Sequence, residues 1–489
     1  MEDSRAVSPA PAGTDPTHPD GDGALPLVLD VDGTLLRTDL LHETFWAALG
    51  RRPFATLRAT FANLRRPARL KARLREIAMP EVETLPVNDA VLELAVRALD
   101  EGRPVHLASA ADQVLVDAVG ERFGLEGPHF GSDGNRNLKG SAKAQLLTER
   151  FGRGGYVYGG DSQADLPCWE GAARAVAVAP RPALRRRIEA LGVPLDLLPR
   201  HRAAGALLKE MRPHQWIKNL LLLLPALAAH DVSPATLLPV MVAILAFSLG
   251  ASSIYIVNDL LDLAADRRHP EKSRRPVAAG ALPIPRALAA SVVLSLVALA
   301  LALAVSPAVA GITLIYMTGS LVYSLWLKRW RWVDVLALVG FFLLRVLAGA
   351  AAAQVAVSGW LFAFVFAVFL VLACTKRLTE LARALRRGQL PGRGYSRQDF
   401  NRLRALAYAA TLGAAGVFLA HAFSPAAQTQ YDAPHVLALV AVLIAIWLGR
   451  MVHFASRGEE DYDPVRAVTR DPIGLAIAAT GIVIGLLAV

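Results

Sequence analysis

The stretch Asn258-Asp259-Leu260-Leu261-Asp262-Leu263-Ala264-Ala265-Asp266-Arg267-Arg268-His269 follows directly on the apolar run 237–257. A run of about 20 apolar residues is the length that crosses the hydrocarbon core of a bilayer. Positions 258, 262 and 266 stand at i, i+4 and i+8, so a helix carried through them presents one amide and two carboxylates on one face. Carboxylates at the end of a membrane helix are costly unless they meet cations, which makes them functional candidates. Asn258, Asp262 and Asp266 are therefore read as ligands of a Mg2+–diphosphate. Lys272, Arg274 and Arg275, a few residues on, supply direct phosphate contacts.

Working outward, the whole second half has the same character. The 489 residues are 54% hydrophobic, and the mean hydropathy is +0.38, too apolar for an ordinary soluble enzyme. About nine spans are expected, near 217–230, 235–257, 285–305, 308–327, 333–353, 358–375, 404–424, 434–451 and 472–489. The net charge of +10 comes from 52 Lys and Arg against 42 Asp and Glu. These basic residues concentrate in the connections that one orientation places on a single side: 267–275, 328–331, 376–397 and 457–470. The opposite connections (229–236, 306–307, 354–359, 424–434) contain neither Lys nor Arg. That is the pattern of cytoplasmic loops, and it puts the N-terminus inside a multi-pass protein of the cell (inner) membrane. It also removes nucleic acid as the reason for the basic charge.

The first part reads differently. Residues 1–24 are acidic and rich in Pro, Gly and Ser, which is a disordered tail and not a signal peptide. Short apolar runs at 25–29, 105–108, 156–158 and 175–179 alternate with helical stretches at 90–99, 111–123 and 142–151. That alternation predicts a parallel sheet flanked by helices. A helical insertion over 37–79 follows the first strand. In such folds chemistry sits at the carboxyl ends of strands, and the polar clusters fall there. Asp30-Val31-Asp32-Gly33-Thr34 closes the first strand, Ser109 the second, and Gly159-Gly160-Asp161-Ser162 the third. Two carboxylates flanking one residue can serve as nucleophile and general acid/base in phosphoryl transfer. Ser109 can hold a phosphate oxygen, and Lys143, with Lys139 as second candidate, can neutralise the charge. Asp161 and Asp165 complete a Mg2+ site with Asp30. Cys168 and Cys374 lie in different domains, so no disulfide or zinc site is implied.

The ordered set Asp30-Val31-Asp32-Gly33-Thr34, Ser109, Lys143 and Gly160-Asp161-Ser162-Gln163-Ala164-Asp165 resembles the haloacid dehalogenase superfamily of phosphatases. The resemblance covers 25–180. It implies a Rossmann-like α/β domain with a small helical cap, a phosphoaspartate at Asp30 and acid/base work by Asp32. It further implies Mg2+ held by Asp30, Asp161, Asp165 and the Asp32 backbone carbonyl. Residues 181–210 then form a basic juxtamembrane linker, with Arg200 and Arg202 near its end.

The stretch from Asn258 through Pro276 resembles the first signature of the UbiA-type prenyltransferase superfamily, and the likeness runs over 211–489 as an all-α membrane domain. Many members have a second aspartate-rich motif after the sixth span. Here that place reads Thr375-Lys376-Arg377-Leu378-Thr379-Glu380-Leu381, and a Lys-Arg pair suits a monophosphate. Arg212-Pro213-His214-Gln215-Trp216-Ile217-Lys218-Asn219, with Tyr323-Ser324 and Lys328, looks like the branch that makes decaprenylphosphoryl-5-phosphoribose. The resemblance implies phosphoribosyl diphosphate, or another small soluble co-substrate, as donor and a polyprenyl phosphate as acceptor. Lys218, Lys272, Arg275, Lys376 and Arg377 would place the phosphates. The alternative is prenyl transfer from a polyprenyl diphosphate to an aromatic or other acceptor. A third reading makes the membrane half a lipid anchor. Arg345, in mid-span, is either a phosphate contact or a partner of Asp334. His421 and His453 read as packing or interface residues, and Asp463 and Asp471 as candidate site residues.

Overall fold

A computed structural model describes residues 25–199, 204–386, 394–459 and 471–487. The expected tail at 1–24, Arg200, Arg202 and Asp463 lie outside the described residues. The chain packs as two compact units. One holds residues 25–199 together with Leu263–Arg274 and Ala278–Pro283. The other holds 204–262, Arg275–Val277 and the described residues from Ile284 onward.

The first unit is a six-stranded parallel sheet in the order β3-β2-β1-β4-β5-β6. Its strands are β1 (Leu27–Leu29), β2 (Val105–Asp112), β3 (Phe130–Ser132), β4 (Val157–Gly160), β5 (Arg174–Val178) and β6 (Leu195–Leu198). Helices α1 (Leu40–Arg51), α2 (Pro53–Asn63) and α3 (Pro67–Ile77) form the insertion after β1. Then come α4 (Asp89–Asp100), α5 (Gln113–Arg122), α6 (Ser141–Phe151), α7 (Leu166–Glu170) and α8 (Pro182–Glu189). Alternation along β1 sends Leu27 and Leu29 into one core with Val91, Val105 and Val116. Val28 faces the other core, with Tyr156, Tyr158 and Trp169. A strand buried on both faces must be apolar throughout, which is why β1 is Leu-Val-Leu.

Two strands were not expected. β3 and β6 sit at the sheet edges, pair on one side and stay partly exposed, so neither needs a continuous apolar run. β6 pairs with β5 from Ala175↔Leu195 to Val178↔Leu198, so the stretch read as linker from 181 carries a helix and an edge strand of the sheet.

The second unit is helical. It comprises α9 (Ala206–Met211), a 3-10 segment Pro213–Leu223, α10 (Leu224–Ala228) and α11 (Pro234–Leu261). After α12 (Leu263–Arg268), which packs in the first unit, follow α13 (Ile284–Val305), α14 (Pro307–Leu325), α15 (Val333–Ala353), α16 (Gly359–Arg386) and α17 (Arg397–Ala422). The unit closes with α18 (Pro425–Gln430), α19 (Leu437–Ser456) and α20 (Pro472–Leu487). Among the described residues seven helices are long and apolar enough to cross a membrane: α11, α13–α17 and α19. Two of the nine expected spans are not among these seven. The run 217–230 divides between the 3-10 segment and five-residue α10, and α20 has 16 residues. The first departure has a cause in packing. A Cβ on Gly349 of α15 would stand 2.0 Å from the Leu222 carbonyl oxygen, so the 3-10 segment lies backbone-to-backbone on α15.

Candidate active sites

Three neighbouring strands bring the first site together. Asp30 follows β1, Ser109 lies within β2 and Asp161 follows β4. Lys143, in the first turn of α6, reaches Asp30 Oδ1 at 2.8 Å, Asp165 Oδ1 at 3.2 Å and the Tyr158 hydroxyl at 2.8 Å. Asp165 Oδ2 accepts from the Ser162 hydroxyl and from the main-chain N–H groups of Asp161 and Ser162. Asp32 is held apart from these. Its Oδ1 accepts from Leu40 N–H at the start of α1 (2.7 Å), and its Oδ2 from the Ser109 hydroxyl (3.0 Å). Lys139, the second lysine candidate, is exposed.

These surroundings set different proton affinities. Burial lifts the Asp30 carboxyl well above its ordinary range despite the opposing pull of Lys143. Burial acts on Asp165 too, but Lys143, Tyr158 and Ser162 outweigh it and hold that carboxyl low. Lys143 is raised, because Asp30 and Asp165 overcome the burial that opposes its charge. Desolvation, reinforced by the Asp39 carboxylate, pushes Asp32 up to about 7 against the bonds from Leu40 and Ser109. Two adjacent carboxyl groups with separate partners are the arrangement that divides nucleophile from acid/base.

The residues present fit Mg2+. Asp30, Asp161 and Asp165 each bring a carboxylate oxygen within 4.8 Å of one another. A Cβ on Gly33, where φ is +77°, would stand 2.6 Å from Asp161 Oδ2. Oxygen donors around space that glycine keeps clear suit a hard divalent cation.

In the second unit, α11 ends at Leu261 and Asp262 caps it, donating its N–H to the Asn258 carbonyl at 2.9 Å. The helix is interrupted there, so the single continuous face expected through position 266 does not form. Asn258 and Asp262 belong to the second unit, whereas Asp266 stands buried on α12, 3.9 Å from Lys272 within the first. The Asn258 Oδ1 is buried and has no hydrogen-bond partner among the described residues. An orphaned amide oxygen beside a carboxylate fits a metal ligand set. Asp262 accepts from Lys328 Nζ at 3.0 and 3.3 Å. Asp259 takes both carboxylate oxygens to Arg212 and one also to Arg275, at 2.9 Å.

The sequence model of the UbiA prenyltransferase family matches residues 219–467. The chain belongs to that family. It is 34% identical over 466 residues, 94% of its length and 90% of the relative's, to the uncharacterized protein y4nM of Sinorhizobium fredii. It is 36% identical over 196 residues to the decaprenyl-phosphate phosphoribosyltransferase of Mycobacterium tuberculosis strain H37Rv, covering 39% of this chain and 64% of that one. A solved UbiA homolog from Archaeoglobus fulgidus bound to GPP and Mg2+ is 17% identical with a TM-score of 0.43, over 58% of this chain and 99% of that chain.

Within this UbiA-family transferase the expected phosphate-binding residues have mixed fates. Lys272 is exposed, and Arg275 is half-buried against Asp259. Lys218 donates to Gln215, and Lys376 is half-buried. Arg377 is 2% exposed, clasped by Asp334 and Glu380 and donating to the Tyr323 hydroxyl at 3.1 Å. Asp334 thus pairs with Arg377 and not with Arg345. Arg345 instead donates to Asn219 Oδ1 (2.9 Å), the Tyr316 hydroxyl (3.0 Å) and the Phe341 carbonyl (2.7 Å), all neutral. Asp471 meets Arg450 at 3.3 Å, and both cysteines are free and buried. Sequence reasoning passed over Asp259 and Arg212 as a pair. Asp259 lies one residue off the 258-262-266 spacing and its arginine is 47 positions away, so no local pattern links them.

Proposed function

We propose that the membrane unit transfers 5-phosphoribose from phosphoribosyl diphosphate to a polyprenyl phosphate at the cytoplasmic face of the inner membrane. The first unit is then a Mg2+-dependent phosphatase of the haloacid dehalogenase type that removes the 5-phosphate. In the transfer, a phosphate oxygen of the lipid attacks the anomeric carbon, the bond from that carbon to diphosphate breaks, and diphosphate leaves. Asn258 and Asp262 would hold a divalent ion that neutralises the departing diphosphate. Lys328 and Arg275 are cations suited to its oxygens. The observation that carries the choice of donor is the state of Glu380. This acid stands where a second metal-binding motif would, and Arg377 already neutralises it. One metal–diphosphate site suffices when the lipid enters as a monophosphate. The match to the mycobacterial enzyme, over part of that chain, points the same way.

In the phosphatase unit, Asp30 attacks phosphorus to form a phosphoaspartate while protonated Asp32 gives its proton to the leaving alkoxide. Asp32 then takes a proton from the water that hydrolyses the phosphoaspartate, and inorganic phosphate leaves. A divalent ion held by Asp30, Asp161 and Asp165 would screen the phosphoryl charge and draw the proton from Asp30, and the Lys143 ammonium, 2.8 Å from Asp30 Oδ1, favours the same anionic form against burial. Carrying both activities in one chain keeps the second close to the product of the first.

Membranes containing the protein, given labelled phosphoribosyl diphosphate and polyprenyl phosphate, should carry label into the lipid phase. Label in lipid only when a polyprenyl diphosphate and an aromatic acceptor are supplied would favour the prenyl-transfer alternative.

A further inference from the structure

The segment just past the acidic signature belongs by its packing to the phosphatase-type unit, and one contact dominates. Arg267 of α12 grips Glu43 of α1 with two parallel bonds, Nη2 to Oε1 at 2.7 Å and Nη1 to Oε2 at 3.0 Å. Its Nε donates to the Ala278 carbonyl at 3.0 Å, which braces the arginine from behind. The two side chains are 6% and 3% exposed. Two further contacts lie nearby. Gly280 runs so close to the start of the insertion that a Cβ there would stand 2.7 Å from Arg37 Cβ, and Arg268 meets Glu81 at 3.0 Å.

Glu43 sits one turn into α1, the helix whose first N–H, at Leu40, bonds Asp32 Oδ1. Glu43 Oε1 also accepts from the Thr38 hydroxyl, and the Thr38 carbonyl accepts from Gly33 N–H at 3.1 Å. An unbroken line of hydrogen bonds therefore runs from Arg267 through Glu43 and Thr38 to the turn that carries Asp32. A forked, buried guanidinium–carboxylate pair fixes both distance and angle between its elements.

We propose that Arg267 is a positioning residue of the phosphatase. Through Glu43 it sets where α1 begins and so where the acid/base carboxyl Asp32 stands. The phosphatase unit is then completed by a segment that the chain reaches only after α11. The helix that supplies it also carries Asp266, one residue before, which the transferase signature claims. This inference rests on the phosphatase reading of the first unit.

The test uses the full chain in detergent or nanodiscs, with ribose 5-phosphate, an alkyl phosphate whose leaving oxygen needs the Asp32 proton, and Mg2+ as probe. Arg267→Met should lower kcat about 10- to 100-fold, the scale of a small misplacement of a reacting group, with KM nearly unchanged. Arg267→Lys, which keeps the charge and one bond, should recover much of the loss. Hydrogen exchange at the first turn of α1 should quicken in Arg267→Met while the β1–β4 amides stay protected. Wild-type kcat in Arg267→Met, or unaltered exchange in α1, overturns the positioning role even with hydrolysis intact. Equal hydrolysis by wild type and Asp30→Asn removes the phosphatase reading, and the inference with it. A loss confined to KM would also contradict it.

Discussion

At Lys143 the ammonium meets three oxygen partners, Asp30, Asp165 and Tyr158, with the side chain only 4% exposed. Lys143→Met would strand two buried carboxylates, and removing one partner of a buried pair costs about 3–5 kcal/mol. Thermal unfolding of the first unit should shift down accordingly, and phosphatase activity should vanish with it. Asp32 makes a second residue-scale prediction through its raised affinity for protons, at about 7. Its protonated form must supply the leaving-group proton, so hydrolysis of an alkyl phosphate should fall as pH climbs through about 7. The aryl probe p-nitrophenyl phosphate leaves without needing that proton, and its rate should lack this alkaline limb. Profiles of identical shape for the two substrates would assign the limb elsewhere. In the second unit, Asn258→Ala should cost transferase activity without lowering stability, because Asn258 Oδ1 has no protein partner among the described residues to lose. These residues were legible in the sequence because each stands at a strand or helix end at fixed spacing. The Asp259–Arg212 pair was not, because its members are brought together by tertiary packing alone.

Helices and strands divide along similar lines. The central strands were readable because burial on both faces forces a short, wholly apolar run, as in β1. β3 and β6 were missed because an edge strand has one partner and tolerates Gly131 or Asp196. The first expected span departs from a plain α-helix for a different reason. Apolarity over 217–230 does not distinguish a 3-10 segment from an α-helix, and the close approach of Gly349 to Leu222, with the Arg345–Asn219 bond, holds the segment against α15 from far along the sequence. Gly349→Val should therefore be far worse than an average apolar exchange. Forced overpacking costs about 1–3 kcal/mol where the neighbours can move, and here the obstacle is backbone. Reduced yield of folded protein in size-exclusion chromatography, with Gly340→Val as a control that meets open space, checks this. Equal behaviour of the two variants would contradict the account.

For the molecule as a whole, composition separated a soluble-type α/β half from a helical membrane half, and the fold follows that division. What composition did not reveal is that the boundary is not a single point in the sequence. Residues 263–274 and 278–283 return to the first unit after α11 has been built into the second. Hydropathy reads these residues as one more charged loop, since nothing in their polarity distinguishes a solvated loop from one docked on a protein surface. The central claim joins both units in one reaction sequence, transfer of a sugar phosphate to lipid and then loss of the 5-phosphate. The most direct test supplies the full chain with polyprenyl phosphate and phosphoribosyl diphosphate labelled separately in the ribose carbons and the 5-phosphate. The account predicts the carbon label in the lipid phase and the phosphate label as free inorganic phosphate. Asp30→Asn should keep both labels on the lipid, and Asp262→Ala should leave both in the aqueous phase. Both labels remaining in the aqueous phase with the wild-type chain would contradict it.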